Sequence, residues 1–221
     1  MTLIRSNPAF KQERNAWFYK HFNRKDKALA EIAAIFRAVD LEANASNEMT
    51  GGHINAEELY LKVLCQINDD DPAVCEKMDM KWLMQEMDNL LFRYPPDLFS
   101  GETASVLSRL KQGEASLSLL SNTAFVKGKV LRRVLDDLGL AIFFDFQLYS
   151  DEEGWSKPNS KFFRLMTDEV MARRMDVRLS EIVHVGDNPG ADIVGAKAIG
   201  IDGHLINSND NSISTLLEQP A

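Results

Sequence analysis

Ile182-Val183-His184-Val185-Gly186-Asp187-Asn188-Pro189-Gly190-Ala191-Asp192 is the stretch on which the fold turns. Ile182 to Val185 is a short apolar run closed by Gly186 and Asp187, the pattern of a short buried strand. A Gly- and Pro-containing turn follows and leads into a helix over 191–198, closed by Gly200. Asp187 and Asp192 bracket this turn. Carboxylates so placed suit Mg²⁺, a hard cation that takes oxygen ligands. The same residues also suit an Asx turn at Asp187 and a first-turn helix position at Asp192. His184, inside the strand, reads as a packed polar residue rather than a base.

Working outward, a further strand is expected over 204–206 and a small closing helix at Leu216 and Leu217. Upstream lie a helix over 160–175, a strand over 143–149 and a helix over 126–138 closed by Gly139. Before these come an apolar run over 116–120 and a helix over 103–110. Alternating strand and helix predicts an α/β fold with a parallel sheet covered on both faces. Ligands of such sheets bind beyond the carboxyl ends of the strands, which directs attention to Ser121, Asp187 and the loop after Tyr149. Ser121, Asn122 and Thr123 offer a hydroxyl and backbone N–H groups that could cradle an anion, or a plain helix N-cap. Lys157, followed by Pro158, could reach a phosphate or neutralise carboxylates, or sit as a solvated loop lysine.

The first hundred residues have another texture. Pro8 to Phe22 carries Phe10, Trp17, Phe18 and Phe22 on one helical face, and 28–39 repeats the pattern with Ile32, Phe36 and Val39. Asn55 reads as a helix cap before Leu59, Val63 and Leu64. Asp71-Pro72 reads as a cap and first-turn proline. A further helix runs through Met78, Trp82, Met87 and Leu91 until Pro95 and Pro96 stop it. Met78, Met80, Met84 and Met87 are expected to fill a core or form a contact surface. Little here predicts a strand. We therefore expect a mainly helical domain over 1–100 and an α/β domain over 101–221.

The chain has 221 residues and a formal charge of -8. An acidic surface of this kind is repelled by phosphate backbones and anionic lipid, so nucleic acid and membrane are not expected partners. No secretory leader is expected, and the sequence has no run of eighteen apolar residues. We expect a cytoplasmic protein, with Cys65 and Cys75 as ordinary thiols. The four histidines form no metal-spaced cluster.

Taken together, Ser118-Leu119-Leu120-Ser121-Asn122-Thr123, Gly154-Trp155-Ser156-Lys157-Pro158 and Val183-His184-Val185-Gly186-Asp187 with Asp192 resemble the second, third and fourth motifs of the haloacid dehalogenase-like hydrolase superfamily. The downstream Gly195-Ala196-Lys197-Ala198-Ile199-Gly200 is also similar. The resemblance covers about residues 101 to 207. It implies a Rossmann-like parallel sheet, with residues 10–95 in the place of the helical cap inserted after the first motif. That first motif, Asp-x-Asp-x-Thr-Leu, has its tail matched by Thr2 and Leu3. Both catalytic aspartates, and the first central strand that carries them, then fall before residue 1. The expectations are a start placed late in the gene, or a degenerate form whose sheet has rearranged.

By resemblance, Asp187 and Asp192 would serve a Mg²⁺ site, while Ser121, Asn122 and Lys157 would hold the phosphoryl oxygens. The reaction implied is hydrolysis of a small soluble phosphate ester through an aspartyl-phosphate, absent or very weak without the nucleophile. The alternatives are a non-catalytic phosphate-ligand binding or regulatory protein, a structural or interaction protein, and a 2-haloacid dehalogenase working without metal. The expected assembly is a monomer or homodimer.

Overall fold

Residues 2–218 are described from a computed structural model. Met1 and residues 219–221, the outer ends of the two expected domains, lie outside the described residues.

The chain opens with a two-residue strand β1 (Ile4–Arg5) and enters helix α1 (Pro8–Phe22). Asn7 caps that helix, its side chain accepting from Ala9 N at 2.9 Å, with Pro8 in the first turn. Helix α2 (Leu29–Thr50) runs well past Val39, where the apolar periodicity fades. Its buried stripe of Ile32, Phe36 and Val39 continues through Ala43 and Asn47, small or polar residues that carry the same face onward. Helices α3 (Ala56–Ile67), α4 (Pro72–Cys75) and α5 (Met80–Arg93) complete this half. Asp71 and Asp79 cap α4 and α5 through Ala73 N and Trp82 N.

The core of this half is aromatic. Phe18, Phe36 and Tyr60 are fully buried or nearly so, and the Phe18 and Phe36 rings meet edge to face at 4.9 Å. Met84 and Met87 are buried in the same cluster, with Met78 and Met80 packed against it, so these methionines fill the core. Two expectations need correction. Cys65 and Cys75 are paired in a disulfide with Cα atoms 5.5 Å apart, because the turn at Asn68–Asp71 folds α4 back on the end of α3. The first hundred residues also hold strands, since β1 pairs antiparallel with β2 (Asp97–Leu98), joining the entry to the helical half with its exit.

The second half alternates as expected: α6 (Thr103–Gln112), β3 (Ser118–Ser121), α7 (Gly128–Asp137), β4 (Phe146–Tyr149), α8 (Ser150–Glu153) and α9 (Ser160–Arg173), then β5 (Val183–Gly186), a π-type turn over Pro189–Val194, α10 (Gly195–Ala198) and β6 (Asp202–Leu205). Strand β3 pairs in parallel with β4, and β5 with β6. Phe162, Phe163, Met166 and Ala196 pack on one side with Leu120, while Leu107, Leu135 and Leu140 form a separate cluster.

Among the described residues, β3 and β5 are not paired with each other. Asp145 N bonds Leu117 O, and Ile206 N bonds Gly186 O, which fixes the phase of both ladders. In a parallel pair alternate residues turn their N–H and C=O to the neighbour. Ser118 and Leu120 of β3, and Val183 and Val185 of β5, therefore turn theirs away from their ladder partners. All four line one cavity of about 1350 Å³. Among the described residues the parallel sheet is thus two parallel pairs flanking a slot.

Candidate active site

Thr2, Ser121, Asn122, Lys157, Asp187 and Asp192 all line that cavity, at the carboxyl ends of β3 and β5 and beside the first described residue. The sequence placed them on four separate segments, and the fold brings them to one place.

Lys157 is fixed from two sides. Its Nζ donates to Leu120 O at 2.8 Å and pairs with Asp192 Oδ1 at 2.8 Å. Its backbone is held by Asn122, whose side chain accepts from Lys157 N at 2.8 Å and donates to Lys157 O at 3.0 Å. The Asn122 side chain thus acts as a clamp on the Lys157 loop. The Ser121 hydroxyl donates to Asn122 O at 3.1 Å. Asp187 Oδ1 accepts from the Thr2 hydroxyl at 2.8 Å, and Thr2 O accepts from Asn207 Nδ2 at 2.9 Å, tying the chain's beginning to the end of β5.

Asp192 is bonded on every side by protein groups. It is buried, and both its oxygens are engaged: Oδ2 accepts from Asn188 N at 2.9 Å, and Oδ1 meets Lys157 and His184 Nε2 at 3.1 Å. Burial pushes its carboxyl up, but the hydrogen bond from His184 and the charge of Lys157 outweigh burial and hold it well below the usual carboxylate range. Burial lowers the His184 imidazole, and the hydrogen bond to Asp192 offsets this only in part. His184 packs edge-on to Phe163 at 5.0 Å, a structural placement.

Gly186 makes this arrangement possible. A Cβ there would stand 2.2 Å from the Asp192 carboxylate. Gly186→Ala is therefore expected to displace Asp192 from Lys157 and cost about 1–3 kcal/mol, the range for overpacking a filled site. A urea titration checks this, and an unchanged midpoint would show that Asp192 relocates freely.

Among the described residues no group of three or more His, Cys, Asp or Glu is placed to hold a metal ion. Asp187 supplies a carboxylate of the right hardness for Mg²⁺, but the described residues do not complete a site for the ion.

Sequence reasoning missed the seam between the helical half and the strands. Gly51, at φ +67°, ends α2, and its carbonyl accepts from Ser156 N at 3.1 Å and Asn159 Nδ2 at 3.0 Å. Ser150 Oγ lies 3.0 Å from His53 Nδ1 and accepts from Thr123 N at 2.8 Å, while Asp151 accepts from the Thr123 hydroxyl at 2.9 Å. Asn188 reaches Glu48 at 3.2 Å. The Gly51-Gly52 pair was the available signal, as a helix stop ahead of the next cap. Also unforeseen was Arg14, a buried cation lining the same cavity.

A lysine, carboxylates and a hydroxyl at the ends of parallel strands, beneath a helical cover, define an α/β protein with a candidate ligand site in a strand-end crevice. The chain belongs to the haloacid dehalogenase-like hydrolase family, whose model matches residues 2–200. It is 41% identical over 81 residues to a ribulose-1,5-bisphosphate 5-phosphatase of Halopiger xanaduensis, a match spanning 37% of this chain and 32% of that protein. It is 36% identical over 108 residues to a glyceraldehyde 3-phosphate phosphatase of Methanothermobacter thermautotrophicus, spanning 48% of this chain and 43% of that one. The aligned stretch is thus less than half the length of either curated relative. In fold it resembles a phosphatase of this family from Thermococcus onnurineus, with a TM-score of 0.67, 20% identity and coverage of 98% of this chain and 92% of that one. A magnesium-bound hydrolase of the family from Bacillus subtilis gives 0.66, with 18% identity over 95% and 86%. Among the described residues no helix is long and apolar enough to cross a membrane.

Proposed function

We propose that the crevice binds the phosphoryl group of a small phosphate ester, and that the protein's chemistry is that of a phosphatase. The observation that carries this reading is Lys157, largely shielded and doubly anchored at the end of β3, with Ser121 beside it in the cavity wall. A fixed cation next to hydroxyl and backbone donors offsets charge on transferring oxygens. The two phosphatases among the sequence relatives support the same class of substrate. Helices α1–α5 act as the cap that closes the crevice and excludes water.

Hydrolysis further requires a nucleophile and an acid/base that the described crevice does not supply. The family resemblance assigns both to aspartates on a strand between β3 and β5, where the slot lies. Mg²⁺, when bound in members that use it, screens the phosphoryl charge. The dehalogenase alternative lacks a carboxylate nucleophile here in the same way, and the phosphatase relatives favour phosphate over it.

Residues 1–221 by themselves are expected to bind phosphate without turning it over. Inorganic phosphate titrated against ³¹P line width should show saturable binding that Lys157→Met removes. Measured binding that survives Lys157→Met would place the anion elsewhere and overturn the reading.

A further inference from the structure

Arg14 is buried on α1, with 7% of its surface exposed, and it lines the cavity that holds Lys157 and Asp187. Its guanidinium lies over the Phe36 ring at 3.7 Å, with Phe125 at 5.3 Å and Phe10 at 5.8 Å. Those contacts accommodate its face. Its edge is not satisfied. Among the described residues it makes one hydrogen bond within 3.5 Å, from Nη2 to Asn15 Oδ1 at 3.3 Å, and Nε has none. No carboxylate of the described residues reaches ion-pair distance from it; the buried Tyr60 hydroxyl, itself without a well-formed hydrogen bond, supports the guanidinium most, and Asp40 acts from farther away. Asn47, 5% exposed and lining the same cavity, likewise keeps Oδ1 without a partner.

A buried cation without a counter-ion is costly, and so is a buried acceptor without a donor. Both become favourable when a ligand brings an anion and a hydroxyl. Neither residue belongs to the phosphoryl-holding set at the strand ends, because both come from the helical half, from α1 and α2. Resting on the phosphate-ester reading above, we infer that Arg14 is a specificity residue that pairs with a second anionic group at the far end of the substrate, with Asn47 accepting a hydroxyl near it. The substrate class is then a small phosphate ester carrying a remote carboxylate or a second phosphate, rather than one with a neutral end.

Two ligand pairs test this by calorimetry on the protein as it stands: glycerol 3-phosphate against 3-phosphoglycerate, and ribose 5-phosphate against ribose 1,5-bisphosphate. Each pair differs at the end remote from one phosphate, and the two pairs separate carboxylate from phosphate as the second anion. The doubly anionic member of at least one pair is expected to bind about tenfold or more tightly, the scale of a charge-assisted hydrogen bond in a buried site. Arg14→Gln should abolish that preference and leave the singly anionic esters unchanged. Arg14→Lys, which keeps the charge without the planar fork, should retain part of it and serves if the Gln variant does not fold. Equal affinities within both pairs, or a preference that survives Arg14→Gln, overturn the inference and leave the phosphate site standing. If none of the four esters binds, the phosphate reading falls and the inference with it.

Discussion

Fusing a β-branched strand that ends in Asp-x-Asp ahead of Thr2 is expected to raise hydrolysis of an aryl phosphate by at least about 10⁴-fold over the chain as it stands, since a nucleophile and an acid/base act as one unit in covalent catalysis. The physical basis is the slot. Ser118 and Leu120 on one wall, and Val183 and Val185 on the other, turn backbone donors and acceptors away from their ladder partners. A strand running parallel to both would complete two ladders at once, and each buried group left unpaired costs about 1–3 kcal/mol. Leu120 O is already taken by Lys157 Nζ, so the inserted strand gains most from the other groups. Thr2, bonded to Asp187 and to Asn207, stands at the carboxyl end of the slot. A strand ending just before it would deliver its last residues between Ser121 and Asp187. Replacing the first aspartate by Asn should return turnover to background, while replacing the second should cost about 10²–10⁴-fold, the range for lost acid/base catalysis. Thermal denaturation provides an independent readout, because ladder completion should raise the midpoint in the Asn variants too. A fused protein that folds and gains stability yet turns over no phosphate ester would sink the phosphatase reading. One that gains no stability would show that the slot does not accept a strand.

The parallel β/α part was legible because its signals are local and redundant. Strands ending in Ser121 and Gly186-Asp187, and helices closed by Gly139 and Gly200 at positive φ, announce themselves within a few residues. What stayed hidden depended on residues that give no apolar signal or on contacts distant in sequence. The extension of α2 rides on Ala43 and Asn47. The β1–β2 pair involves two residues on each side, too few for a period. The Cys65–Cys75 disulfide needed the chain reversal before α4. The position of Asp192 in the turn suggested a place at a cation site, and its bonds to Lys157, His184 and Asn188 N are visible only in the tertiary packing. Arg14 had left a faint trace, for it lies four residues from both Phe10 and Phe18 on the buried face of α1, and a charge on an apolar stripe is a functional hint.

Asp192→Asn is the second large effect, expected to destabilise the fold by about 3–5 kcal/mol near neutral pH, the cost of removing one partner of a buried ion pair. Lys157 is 12% exposed at its side chain and Asp192 5%, so the lysine left behind has little water to replace the carboxylate. It would keep Leu120 O alone, a neutral acceptor. The pH dependence identifies the cause. Because the folded carboxyl is held below its unfolded value, its contribution is complete above the ordinary carboxylate range and is lost only as pH falls through the depressed folded value. The difference between wild type and variant should therefore hold between about pH 7 and pH 5 as far as Asp192 itself is concerned. His184 adds an opposite-charge effect in that window. Its folded imidazole is depressed by burial, so the unfolded chain binds its proton first and stability falls as pH drops below about 6.5. Asp192→Asn removes the partial support the carboxylate gives the imidazolium, so the variant should lose stability more steeply than wild type on acidification. Urea titrations at the two pH values measure both effects. A variant with wild-type stability near neutral pH would mean that Lys157 swings out to water, and the anchored lysine on which phosphate binding depends would have to be abandoned.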